Sequence, residues 1–469
     1  MLTNHKFRPE LDRRAFLSRA GGGFGALALA SLLDSEPNGR QANATQSKQS
    51  SPKAKSVIWL FMNGGPSGID LFDEKPALKR WDGKAFPGKV ETLFPHPGPI
   101  MKSPFKFRRR GECGATVSEV FPHVAQHVDD ITFLHACQSE AQNHVPACYA
   151  VNTGSMRFGA PCVGSWVNYG LGTENKDLPG FVVMYDPRSA PEGGANLWDS
   201  GYLPGNNQGV PIRASDHPIL YLKRPEELSG RQQKAQLKLL RGLNQQHLLR
   251  HPDDKSNLQS RIQSLETAFR MQDSAAGIVD VSRETRRVQN MYGMNSPPCK
   301  VFGTQLLMAR RMVESGVRFI QIYHGGFAKN WDQHAALEQD HRKLCYESDR
   351  PIAGLLRDLK QRGLLESTLV VWGGEFGRGP TSQDRDGRDH NPFGFTMWLA
   401  GGGIKKGFSY GETDELGYQP VENPVSMHDL QATILHQLGI TSDELTYYHN
   451  GRDQSLTNGF GSVIKPIIA

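Results

Sequence analysis

No Cys-x-x-Cys pair occurs in these 469 residues, although there are six cysteines, so a zinc ribbon and a thioredoxin-type redox motif are excluded. Downstream of the N-terminal segment no run is long and apolar enough to cross a bilayer as a helix, and no repeat of solenoid length is apparent. No basic stripe interleaved with aromatics is present either. The formal charge of +6 comes partly from the N-terminal segment and one Lys/Arg-rich helical stretch, so nucleic acid is not an expected partner. A modest positive balance suits a solubilising surface and is compatible with an anionic substrate. What is present, 38% hydrophobic and 22% charged residues with abundant Gly and Pro, is the composition of a soluble globular chain with many loops. The length fits one large domain with insertions or two ordinary domains.

The N-terminal stretch "DRRAFLSRAGGGFGALALASLL" carries Arg13-Arg14, then Phe16-Leu17 and a short Gly/Ala/Leu run. It resembles a twin-arginine export signal, and an amphipathic first helix is the structural alternative. "QANA" offers a small-residue cleavage site, and "TQSKQSSPKAK" reads as a linker. The expected boundaries are a signal over 1–44, a linker over 45–55 and a folded domain over 56–469. Export machinery is then an expected partner, and the periplasm or the exterior the expected location. The even number of cysteines (Cys113, Cys137, Cys148, Cys162, Cys299 and Cys345) permits disulfides in such a compartment, while buried thiols satisfy the same pattern.

Along the chain, "SVIWLFMNGGPSGIDLFDEKP" is an apolar strand running into a Gly-rich turn, the pattern of a central parallel strand. "DDITFLHACQSE" and "GFVVMY" read as strands, with helices "HVPACYAVNTG" and "CVGSWVNYGLG" between them, each closed by Gly. Residues 211–297 change character to polar helices with apolar residues at helical spacing, a helical insertion or cap. Helix and strand then alternate through "QLLMARRMVESG", "VRFIQIYHGG", "YESDRPIAGLLRDLKQRG", "STLVVWGGE", "FTMWLAGG" and "MHDLQATILHQLG". The rhythm predicts an α/β fold with a largely parallel central sheet flanked by helices.

In such sheets sites form at the carboxyl ends of strands. Three predicted strand ends carry metal-binding groups: Asn63, Ser67 and Asp70 after the first, His324, Asp332 and His334 after "VRFIQIY", and Glu375 after "TLVVWGG". His390 precedes the next strand. Carboxylates and imidazoles on one edge form a ligand set for zinc or manganese, and oxygen-rich versions suit magnesium or calcium. Asp332 and His334 also fit a helix N-cap with a solvated neighbour. Glu375 is harder to read as structural, because an unpaired buried carboxylate is costly. The segment from 369 to 402 places Glu375, Arg378, Asp389, His390 and eight glycines between two apolar strands, which a solvated loop explains less well than a site does.

The layout of "YESDRPIAGLLRDLKQRGLLESTLVVWGGEFG" and the closing "VSMHDLQATILHQLGI" resemble the alkaline phosphatase and sulfatase superfamily. "MNGGPSGIDLFDEKP", "GSWVNYGLG", "WDQH", "GEFGR" and "GRDHNPFGFTMWLAGGG" resemble, more closely, an exported family known as domain of unknown function 1501. The resemblance implies an alkaline phosphatase-like fold, one or two divalent ions, and hydrolysis of a phosphate or sulfate ester, with a sulfated polysaccharide among the candidate substrates. Carried over by position, it implies one metal site of Asp332, His334 and His390, a second of Glu375 with Asn63 or Asp70, and Arg378 against a bound oxyanion. The nucleophile departs from the superfamily. "HVPACYAVNTG" keeps the Pro and the Thr-Gly of the sulfatase motif but has His144 where the cysteine stands and Cys148 where the arginine stands. Three readings of His144 remain open: nucleophile or general acid/base, further metal ligand, or a site without catalysis. The last would make the chain a binding protein for anionic glycans or a partner.

Overall fold

The computed structural model describes residues 51–469 apart from 95–96, 187–189, 216–217, 220–227, 251–254 and 327–329. The expected export signal and most of the expected linker lie outside the described residues. The sheet is built from β1 (Ser56–Met62), β2 (Ile131–Gln138), β3 (Phe181–Tyr185), β4 (Val210–Pro211), β5 (Phe319–His324), β6 (Thr368–Gly373), β9 (Phe395–Ala400), β10 (Phe408–Tyr410) and β11 (Val425–Ser426). A separate two-stranded hairpin, β7 (Gly377–Gln383) with β8 (Gly387–Asn391), lies between β6 and β9 in the chain. The order across the nine-stranded sheet is β10-β2-β9-β6-β1-β5-β3-β4, with β11 also on β2.

Parallel pairing joins β1 to both β5 and β6, and β3 to β5 and β4. Only β9 runs antiparallel to its neighbours β6 and β2. The reason is its connection: the chain returns from β6 through a hairpin and not through a crossover helix, which a parallel partner would require. The fold is therefore α/β with a largely parallel central sheet, as the alternation of elements predicts.

β1 shows how the sheet makes two cores. Successive side chains of a strand point to opposite faces, and every residue of "SVIWLFM" is buried. Ile58, Leu60 and Met62 pack on the face covered by α5 (Pro297–Glu314) and α6 (Leu337–Gln361). Val57, Trp59 and Phe61 pack on the face covered by α1 (His144–Thr153), α2 (Val163–Leu171) and α7 (Met427–Gln437). The helix α6 begins well upstream of the stretch expected from sequence and continues through Pro351. Within the expected insertion lie α3 (Gly230–Arg250) and α4 (Lys255–Val279). α4 sends Met271, Ala275 and Val279 into the core beside α5, whereas α3 buries no residue. All six cysteines are free thiols, five of them buried, so no disulfide is formed. Among the described residues no helix is long and apolar enough to cross a membrane.

Candidate metal centre

The carboxyl ends of the three central strands β6, β1 and β5 open onto one edge of the sheet, and the loops leaving them carry the site. β1 ends at Met62 and turns through Asn63 and Gly64. Gly64 has φ +109°, and a Cβ there would lie 2.6 Å from the Asp332 nitrogen, so only glycine lets the loop after β5 close down on the turn. That loop supplies Asp332 and His334. β8 supplies His390, and the N-terminus of α1 supplies His144, with Asn143 capping the helix through the Val145 N–H.

These four side chains meet. One ligand atom from each of His144, Asp332, His334 and His390 lies within 4.8 Å of all the others. Asp332 is the centre: its Oδ1 is 2.9 Å from His334 Nε2 and 3.1 Å from His390 Nε2, and its Oδ2 is 3.2 Å from His144 Nε2. The far side of each ring is held by an oxygen. His144 Nδ1 is 2.7 Å from Glu375 Oε1, His390 Nδ1 is 2.5 Å from the Gln142 carbonyl, and His334 Nδ1 is 2.5 Å from Gln383 Oε1. Oxygens of this kind only accept, so each Nδ1 carries the proton and each neutral ring turns its Nε2 lone pair toward Asp332.

Lone pairs and a carboxylate converging on one point repel unless a cation sits among them. Without a metal the cluster takes up a proton at His144. Burial opposes charge on that ring, but the carboxylates of Asp332 and Glu375 on its two sides overcome it and raise its pKa to about 9. His390 goes the other way, pushed down to about 3 by burial and by the Arg378 charge. Burial works to raise the Asp332 pKa, but the imidazole nitrogens around it and the Arg378 charge outweigh it and hold the carboxyl well below the usual range. Even so, His144 Nε2 is buried with no aligned hydrogen-bond partner. Three imidazoles braced at Nδ1 and one carboxylate are a donor set that fits a divalent metal.

The other expected ligands stand elsewhere. Glu375, fully buried, accepts the Gly64 N–H at 2.8 Å through Oε1 and at 3.1 Å through Oε2 while holding His144. It braces a ligand and is not itself in the cluster. Asp70 is turned away: its oxygens take Arg388 Nε at 2.7 Å and Nη2 at 3.1 Å, and Ser67 Oγ at 2.5 Å. His324 Nδ1 accepts from the Trp331 indole at 3.1 Å, also outside the cluster. Arg378 reaches the site with its Nη2, which binds the carbonyls of Gly64 and Trp331 and, at 2.6 Å, Asp332 Oδ1, while its Nε and Nη1 bind the carbonyls of Gly65 and Arg388. These bonds fix Asp332 against the β1 turn. Cys148 is buried 4.0 Å from Asn63 Oδ1, and burial with the charges of Glu375 and Glu192 keeps the thiol protonated.

Three participants were not legible in the sequence. Gln142 and Gln383 are ordinary loop and strand residues until they are seen holding rings. Glu192 lies beside the site, its N–H on Asn63 Oδ1 at 3.3 Å and its Oε1 near Asn330 Nδ2 at 3.4 Å. Burial raises its pKa, and the charges of Glu375 and Asp332 add to that.

A parallel-sheet α/β fold with three imidazoles and a carboxylate at its carboxyl edge defines a candidate metal-binding protein. The chain belongs to the family described as Protein of unknown function (DUF1501), whose model matches residues 54–468. No curated protein matches the sequence. Similar solved structures include the lipoteichoic acid synthase LtaP from Listeria monocytogenes, with 8% identity over 85% of this chain and 77% of that one and a TM-score of 0.38. The phosphonate monoester hydrolase SpPMH from Silicibacter pomeroyi shares 14% over 74% and 71%, with a TM-score of 0.35. The PsFucS1 sulfatase from Pseudoalteromonas sp. shares 11% over 89% and 72%, also at 0.35. At this identity and overlap the likeness bears on no residue's role.

Proposed function

We propose that the chain is an exported, metal-dependent hydrolase of phosphate or sulfate esters that holds one divalent ion on His144, Asp332, His334 and His390. The observation that carries the reading is the convergence of three Nε2 atoms, each braced from behind, on the single carboxylate of Asp332. Imidazole-rich sites favour zinc and the neighbouring transition metals, whereas magnesium and calcium prefer oxygen. Zinc is therefore favoured over the other candidates. Export rests on the twin-arginine-like N-terminus, and the ester substrate on the superfamily motifs in the sequence.

When bound, such an ion supplies Lewis acidity to an ester oxygen and lowers the pKa of water. The chain's own residues do the rest. Asp332 and Arg378 set the charge of the site, and Glu375 fixes the His144 tautomer. Among the three readings of His144 the geometry favours the ligand: its Nε2 faces Asp332, and its Nδ1 is committed to Glu375. Glu192, half-buried beside Asn63 and Asn330, is placed near the cluster to carry a proton.

The test is a turnover screen. The zinc-reconstituted chain is expected to hydrolyse an aryl phosphate, phosphonate or sulfate, with activity lost on chelation and restored by zinc. Metal uptake with no turnover of any ester would favour the second reading, a binding protein, which the departure from the superfamily's nucleophile motif at His144 supports. A narrower expectation concerns the brace. Glu375→Gln, which removes the charge behind His144 but keeps its size, should weaken zinc binding by about 10–100-fold, read by competition with a chelating dye. Unchanged affinity would remove Glu375 from the metal site altogether.

A further inference from the structure

α3 (Gly230–Arg250) stands apart from the rest of the molecule in charge and in exposure. It carries Arg231, Lys234, Lys238, Arg241 and Arg250, has no acidic and no aromatic residue except His247, and buries nothing. Its half-buried positions Gln233, Leu237, Asn244 and Leu248 recur at helical spacing and mark the face turned to α4. There Arg241 Nε donates to Glu266 Oε1 at 2.8 Å. Leu239 and Leu243 lie off that face and Leu240 at its edge, 64%, 53% and 50% exposed, and Leu249, 84% exposed, lies on the side of Lys238. Leu265 of α4, beside Glu266 and so level with Leu240, is 61% exposed. Leucines presented to water in a group mark a surface that something covers.

The charge decides what. A second copy would set one acid-free basic helix against another, at a repulsive cost. A protein partner is expected to meet aromatic and arginine anchors, with leucine under-represented, and α3 offers exposed leucines and no Phe, Tyr or Trp. A basic helix with a flank of exposed leucines, and Lys/Arg able to reach around it, matches an anionic lipid surface, where the leucines enter the headgroup boundary and the cations meet phosphates. We propose that the α3–α4 hairpin docks the protein on anionic membranes, lying in the interface without spanning it. This inference does not depend on the hydrolase reading.

The experiment uses the full chain with vesicles of phosphatidylcholine alone or mixed with phosphatidylglycerol. Sedimentation should show binding at least about tenfold stronger to the anionic vesicles and weakened by salt, because the attraction is electrostatic as well as apolar. Amide exchange over 230–250 should slow when vesicles are added. Replacing Leu239, Leu240 and Leu243 together by Ser should lower binding by about tenfold or more. All three are exposed, so the fold is expected to persist. Lys234→Gln with Lys238→Gln, which leaves the leucines in place, should lower binding to anionic vesicles only. Equal binding by the leucine variant, or no slowing of exchange over 230–250 on bound protein, would overturn the proposal. So would capture by an acidic protein without any affinity for vesicles.

Discussion

Asp332→Ala is expected to weaken zinc binding by two to three orders of magnitude and to abolish ester turnover. The carboxylate is the only anion in the cluster and touches all three rings, at 2.9, 3.1 and 3.2 Å. A zinc site worth roughly 10–16 kcal/mol shared by four ligands loses about 2.5–4 kcal/mol with one of them. The loss of charge acts in the same direction, since Arg378 at 2.6 Å would then face a bound cation without the anion between them. The fold should survive, because Arg378 keeps its four carbonyl acceptors. Elemental mass spectrometry and dye competition on the variant read the effect directly. Wild-type affinity would mean that the histidines hold metal without Asp332, or that the cluster holds none. Asp332→Asn, which keeps an oxygen in place, should fall between.

The sequence placed Asp332, His334 and His390 at one edge because strand ends obey a rule that needs no three-dimensional information. Each follows or precedes an apolar run, and parallel sheets gather such ends. Depth is a different matter. Glu375 stands at a strand end as expected, yet the Gly64 N–H and the His144 ring claim its oxygens, and nothing in "WGGEFG" says which partner reaches it first. From sequence His144 admits three readings, because its role depends on which nitrogen faces the cluster, and that is set by Glu375, 231 residues away. The hairpin of β7 and β8 was invisible for another reason. Its strands are buried but polar, so the alternation of apolar and polar residues that betrays a half-buried strand is absent. Its turn runs through Asp384 and Arg385 at positive φ, where glycine or asparagine would have given a clearer signal. Arg388 and Arg378, one on each strand of that hairpin, are fully buried and hold the β1 turn to the site.

Asp70→Ala is expected to cost about 3–5 kcal/mol of stability while leaving zinc affinity close to wild type. Asp70 and Arg388 are both inaccessible to solvent and form a two-point pair. Removing the carboxylate strands a guanidinium in the interior with only the carbonyls of Met101, Gly379 and Pro380 to receive it. Against a typical total of about 5–15 kcal/mol, a deficit of that size moves the urea midpoint well down with little change in slope. Acid should undo the pair only at low pH. Burial works to raise the Asp70 pKa, but the Arg388 charge and its hydrogen bonds prevail and lower it. A depressed carboxyl contributes its stability above its unfolded value and loses it as pH falls through the folded one, so the pair stays intact across the neutral range. The combination of a large stability loss with intact metal binding separates a residue that builds the floor of the site from one that binds the ion. If zinc affinity fell as far as in Asp332→Ala while stability held, Asp70 would belong to a second metal position after all, and the Arg388 contact would be the resting arrangement of a carboxylate that moves.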